Sequence, residues 1–148
     1  MPPRKVRIPI VADTNVIIGY YLSRNRQSAL ARIFYLWRDL RKLQLIISPE
    51  MLAEYLEILV RLGVPKKRIE KLQEILLTYD IVTRVRLGAR PTASRDADDN
   101  LVLATAIVGK AKFLITNDRD LLDISEKDKK RFKFEILRPS EFLARLEE

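Results

Sequence analysis

Short apolar runs alternate along this chain with longer segments in which apolar side chains recur at helical spacing. That alternation predicts a parallel sheet covered on both faces by helices. The runs IPIVA (8–12), LQLII (43–47), DIVTRV (80–85), KFLIT (112–116) and KFEIL (133–137) read as five strands. Pro9 is awkward in the first, because proline cannot donate to a ladder; it belongs at the strand's start or on an unpaired side. Between the strands, 15–23 and 27–40 read as a short and a longer helix. The segment 48–62 has Ser48 as N-cap, Pro49 in the first helical position and a core stripe of Leu52, Tyr55, Leu56 and Leu59. The segment 65–79 turns Ile69, Leu72, Ile75 and Leu76 inward, and 99–109 is apolar almost all round, a buried helix ended by Gly109. A last helix follows from 139 with Ser140 as its cap.

A chain of 148 residues, 47% of them apolar, with no internal repeat, fits one domain spanning 1–148. The basic start MPPRKVR leads into an apolar run that Asp13 interrupts too early for a signal peptide or a membrane span, so a soluble, cytoplasmic protein is expected. Lys and Arg number 28 against 20 Asp and Glu, and the net charge of +8 favours a polyanionic partner over a neutral one. The absence of Cys and His narrows the chemistry further. It removes thiolate nucleophiles, imidazole bases and the usual zinc ligands. Hydrolysis by this chain must use carboxylates, hydroxyls, Lys or a hard metal ion.

Acidic residues stand where such chemistry would be placed. Ligand sites in parallel sheets lie beyond the carboxyl ends of the strands. Asp13 directly follows the first strand, and Asp118 follows the fourth in LITNDRDLL. Asp99 opens the buried helix within RDADDNLVLATA, and Glu54 lies about two turns into the helix after the second strand. Each has an ordinary alternative. Asp13 could cap the next helix; Asp96, Asp98 and Asp99 compete for one cap; Asp118 and Asp120 fit a turn; Glu54 shares a polar face with Glu57 and Arg61. If the four acids converge, two charges about 5 Å apart at an effective dielectric near 20 cost about 3 kcal/mol, so a cation is required between them. Oxygen ligands without His or Cys select Mg²⁺ or Mn²⁺.

VADTNVII, SPEMLAEYLEIL, RDADDNLVLATA, KFLITNDRDLL and ILRPSEFLARL, in this order through nearly the whole chain, resemble the PIN-domain nucleases, in particular the toxin branch related to VapC-type ribonucleases. The resemblance implies a three-layer α/β/α sandwich around a central, mainly parallel five-stranded sheet. It implies a site of Asp13, Glu54, Asp99 and Asp118 that uses Mg²⁺ or Mn²⁺ to hydrolyse RNA. Asp99 is preferred over Asp98 because its distance to LATA matches the family's spacing. Asn15 and Thr116 match positions that support the acids by hydrogen bonding, with Asp96 a further candidate. A homodimer and a small antitoxin partner are also implied.

The reading that follows is a metal-dependent endoribonuclease. Asp13, Asp99 and Asp118 hold the metal, while Glu54 binds a second ion or orients the attacking water. Arg24, Arg26, Arg90 and Arg95, in loops flanking the motifs, are candidate phosphate contacts. The alternative is a non-catalytic RNA-binding or assembly module with a PIN fold. A phosphoaspartyl enzyme fits poorly, because DTN places Asn15 where that chemistry needs a second acid.

Overall fold

The computed structural model describes residues 6–88 and 97–147, with the side chains of 97–100 outside that description. Five strands form one sheet in the order β3-β2-β1-β4-β5, every neighbouring pair parallel. They are β1 (Ile8–Ala12), β2 (Leu43–Ile47), β3 (Val82–Arg84), β4 (Phe113–Ile115) and β5 (Glu135–Leu137). The first two match the apolar runs residue for residue; the other three are shorter than their runs. Pro9 lies second in the central strand. Its carbonyl accepts from Lys112, on the β4 side, and β4 pairs only from Ile10 onward. Backbone N–H and C=O of one strand residue share a side, so the missing donor falls below the start of β4, where no ladder bond is lost.

Helices α1 (Thr14–Leu22) and α2 (Ala29–Phe34) join β1 to β2; α3 (Pro49–Arg61) and α4 (Lys66–Thr78) join β2 to β3. The chain then returns across the sheet through α5 (Ala97–Val108) to β4. Because parallel crossovers are right-handed, this reversal of direction puts the two sets of helices on opposite faces, giving the three layers. It also makes the gap between β1 and β4 the switch point at which a crevice opens above the carboxyl ends.

The core is continuous and aliphatic, with Val11, Leu43 and Leu114 fully buried in the sheet. Met51, Tyr55 and Leu59 are the buried stripe of α3, with Leu52 and Leu56 half-buried beside it. Ile69, Leu72, Ile75 and Leu76 are inward on α4, as their spacing requires. The segment 27–40 is not one regular helix: after Phe34 it widens into a π-helical turn, Tyr35–Asp39, with Leu40 N–H bonded to the Tyr35 carbonyl at 3.0 Å. Within that turn Trp37 is buried and donates its indole N–H to the Ile81 carbonyl at 3.0 Å, while Tyr35 is left 53% exposed. Two four-residue helices, α6 (Arg119–Leu122) and α7 (Glu126–Lys129), precede β5 and were too short to show a period.

Two expected helix ends differ. The cap of α8 (Pro139–Leu146) is Arg138, not Ser140: Pro139 takes the first helical position, and the Glu141 carboxylate accepts the Arg138 N–H at 3.0 Å. Gly109 does follow α5, but the left-handed residue is Lys110, at φ 56°. Ala111 N–H reaches the Ala106 carbonyl at 3.0 Å and Lys110 N–H the Ile107 carbonyl at 3.3 Å, a Schellman closure. Glycine at 109 serves packing, since a Cβ there would stand 2.3 Å from Ile46 Cγ2.

Candidate active site

Asp13 extends β1 by one residue at the switch point. Its N–H continues the ladder to the Ile115 carbonyl at 3.0 Å, and its own carbonyl accepts from Val16 at 2.9 Å to start α1. Asp13 occupies the N-cap position of that helix, yet its side chain makes no capping bond. The residue is only 8% exposed, and its Oδ2 accepts the Thr116 hydroxyl proton at 2.7 Å. An ordinary capping role is thereby set aside. A carboxylate buried this deeply costs several kcal/mol unless hydrogen bonds or charge compensate it, and the fold supplies Thr116.

Thr116 is itself fully buried, one residue past β4, where its N–H bonds to the Leu137 carbonyl at 3.0 Å. Its hydroxyl has a second partner, accepting the Asp118 N–H at 2.9 Å. One side chain thus fixes the Asp13 carboxylate and the backbone of Asp118 together. Asp118 is half-buried and uses Oδ1 to accept the Asp120 N–H at 2.9 Å, so it also caps α6.

Glu54 is brought to the same region by α3. It is half-buried, unlike Glu57, which pairs with Arg61 at 2.9 Å on the exposed side. Next to it, Tyr55 is completely buried and donates its hydroxyl to the carbonyl of Ala12, the residue before Asp13. Burial, and then the negative charges of Asp13 and Glu54, push the Tyr55 phenol well above its ordinary pKa. Both acids therefore act on one phenol oxygen, which stays protonated and keeps its grip on the end of β1.

Asp99 lies in the first turn of α5, where the backbone alone is described. A buried pair ties α5 to α3. Thr105 Oγ1 lies 3.0 Å from the Ser48 hydroxyl oxygen and donates to the Leu101 carbonyl at 2.8 Å; Ser48 meanwhile accepts the Met51 N–H at 3.3 Å as N-cap of α3. The start of the helix that carries Glu54 is thus bonded to α5 about two turns beyond Asp99. Among the described residues no three carboxylates are grouped closely enough to hold a metal ion.

Of the supporting positions, Thr116 has the bond expected of it, and Asn15 is exposed in the first turn of α1. Asp96, Arg90 and Arg95 lie outside the described residues. Arg24 and Arg26 line a cavity of about 750 Å³ at the far end of α1. Sequence patterning missed the task of Tyr55, which registers only as a core position, and the Ser48–Thr105 tie. A hydroxyl at a core position next to a candidate acid was the available signal for Tyr55; Ser48 and Thr105 stand six residues from Glu54 and Asp99 and carried none.

The side chains placed here offer oxygen donors alone, a set that fits Mg²⁺ or Mn²⁺ and no softer ion. Among the described residues no helix is long and apolar enough to cross a membrane. Among solved structures, a chain of VapBC2 from Rickettsia felis, crystallised bound to a DNA fragment from their promoter, is similar in fold: its TM-score is 0.57 at 15% identity, over 87% of this chain and 97% of that one. No curated protein matches the chain. A family model described as the PIN domain matches residues 9–120, three-quarters of the sequence, and the chain belongs to the PIN-domain family.

Proposed function

We propose that this protein is a metal-dependent endoribonuclease that hydrolyses phosphodiester bonds in RNA, with Mg²⁺ or Mn²⁺ held by Asp13, Asp99 and Asp118 and with Glu54 beside them. The observation that carries the reading is the Asp13 carboxylate. It is buried at the carboxyl end of the central strand, released from capping duty and aimed by Thr116. Stability alone gives no reason to bury a charge there; a site does.

When bound, the ion supplies an activated water and neutralises charge building on the phosphoryl oxygens. The protein's own residues position and orient. Thr116 limits rotation of the Asp13 carboxylate and ties it to Asp118; Tyr55 fixes the Ala12 carbonyl and so the direction in which Asp13 leaves β1. Glu54, half-buried on α3, orients the attacking water. The excess of positive charge holds the RNA backbone around this acidic centre.

The test is cleavage of single-stranded RNA with Mn²⁺ by the native protein, Asp13→Asn and Asp99→Asn. Cleavage by the native chain that both substitutions abolish is expected; unchanged activity in both variants defeats the assignment. Salt-sensitive RNA binding without turnover in any divalent ion would instead identify a non-catalytic RNA-binding module. A cytoplasmic homodimer with a small antitoxin partner completes the proposal, the partner being the part that the likeness in fold to a chain of VapBC2 supports. Sizing the chain alone and with its purified partner checks both contacts.

A further inference from the structure

The cavity at the far end of α1 is lined by cations from four parts of the chain. Five arginines line it, Arg24, Arg26, Arg32, Arg38 and Arg68, against a single acid, Asp39. Asp39 forms no ion pair with any of them among the described residues, and Arg32 alone has a carboxylate partner, Glu147 at 3.5 Å. Two guanidinium groups are held in place by neutral acceptors. Arg38 donates to the Tyr20 hydroxyl at 3.1 Å, and Arg68 donates to the Tyr21 carbonyl at 3.2 Å with its guanidinium 4.7 Å from that ring's centre. The rings behind them pack together: Tyr20 stacks on Phe34 with centroids 3.7 Å apart. Arg24 and Arg26 project from the exposed α1–α2 loop with no partner among the described residues.

So many guanidinium groups around one hollow repel each other until an anion enters. That all five are arginines matters, because the planar fork binds phosphate through two hydrogen bonds at once and sheds water more readily than an ammonium. Tyr35, also on the cavity wall, is 53% exposed and has no aromatic or cationic partner among the described residues. An acidic peptide would engage the arginines but leave that ring unused. A nucleotide uses both, its phosphates on the forks and its base on the ring. About 750 Å³ is ample for a ligand of that size.

We propose that this arginine–tyrosine cavity is an anchoring site for single-stranded RNA, separate from the acidic centre, with Arg24, Arg26, Arg38 and Arg68 on its phosphates and Tyr35 beneath a base. Tyr20 and Ser23 lie seven and ten residues beyond Asp13; at 1.5 Å per residue the cavity sits roughly 10–15 Å along α1 from that carboxylate. The anchor therefore holds RNA away from the scissile bond and selects which strands reach it. The inference rests on the nuclease reading for its substrate class.

The experiment is fluorescence anisotropy of a labelled 12-nucleotide single-stranded RNA with the full chain in EDTA, where cleavage is suppressed, over a range of salt. Arg24→Gln/Arg26→Gln changes only exposed, unpartnered side chains. It is expected to weaken binding at least tenfold and to flatten the log–log salt slope by about 1.4, two phosphate contacts at about 0.7 each. Tyr35→Leu should weaken binding about five- to a hundredfold with the slope unchanged. Lys127→Gln/Lys130→Gln/Arg131→Gln removes exposed charge elsewhere and should have far less effect. Native affinity in the Arg24→Gln/Arg26→Gln variant overturns the proposal, as does displacement of the RNA by poly-glutamate at matched charge concentration. Mn²⁺-dependent cleavage separates the two claims. Cleavage lost in Asp13→Asn alongside full binding in the loop variant sinks the anchor alone; cavity-dependent binding by a chain that never cleaves sinks the nuclease alone.

Discussion

Replacing Thr116 with valine keeps the side chain's shape and removes one hydroxyl that serves two partners. In the native protein that hydroxyl donates to the Asp13 carboxylate at 2.7 Å and accepts from the Asp118 backbone at 2.9 Å, in a position with no solvent access. A hydrogen bond to a charged group contributes about 1.5–3 kcal/mol and a neutral one about 1 kcal/mol, so Thr116→Val should destabilise the fold by about 2–4 kcal/mol. If the carboxylate is what the hydroxyl serves, the cost must shrink when the charge is removed. In the Asp13→Asn background the same substitution loses two neutral bonds and should cost about 1–2 kcal/mol less, a coupling of the size found for residues in direct contact. Urea unfolding of the native chain, the two single variants and the double variant, all in EDTA at neutral pH, gives this number directly. An equal cost of Thr116→Val in both backgrounds would refute the reasoning, because the hydroxyl would then be a packing feature indifferent to Asp13.

Tyr55→Phe removes the hydroxyl that satisfies the Ala12 carbonyl and leaves a buried acceptor unpaired; thermal or urea unfolding should show a loss of about 1–3 kcal/mol. Gly109→Ala should cost about 1–3 kcal/mol by driving a methyl against Ile46. Lys110→Gly, next to it, should gain about 1 kcal/mol by relieving a left-handed backbone, so the two neighbours respond in opposite directions to adding and removing a side chain.

The layered fold was legible because strand and helix have different periods, and buried parallel strands such as LQLII leave unbroken apolar runs. Strand ends were less legible where a run such as DIVTRV continues past its neighbour's pairing. The π-helical turn was invisible because Tyr35, Leu36 and Trp37 keep an apolar pattern that an α-helix would also show. For the candidate site, strand-end position singled out Asp13 and Asp118, since topology alone sets where a strand's carboxyl end lies. What sequence could not supply was direction. Asp13 occupies a capping position and spends its side chain on Thr116, 103 residues away, a choice made by tertiary packing. Of the arginine cavity, the sequence singled out Arg24 and Arg26 alone, as neighbours of the acidic motifs rather than as parts of one cavity. Its other cations come from α2, the π-helical turn and α4, which only the folded chain brings together.

The central claim is that acids distant in sequence meet to hold a divalent cation. Mn²⁺ binding by the native chain, followed by electron paramagnetic resonance or calorimetry, tests it without any substrate. The account predicts saturable binding that Mg²⁺ displaces and that Asp13→Asn, Asp99→Asn and Asp118→Asn each weaken by tenfold or more while the fold is retained. Binding that survives all three substitutions unchanged, or no binding by the native chain at millimolar Mn²⁺, would contradict it.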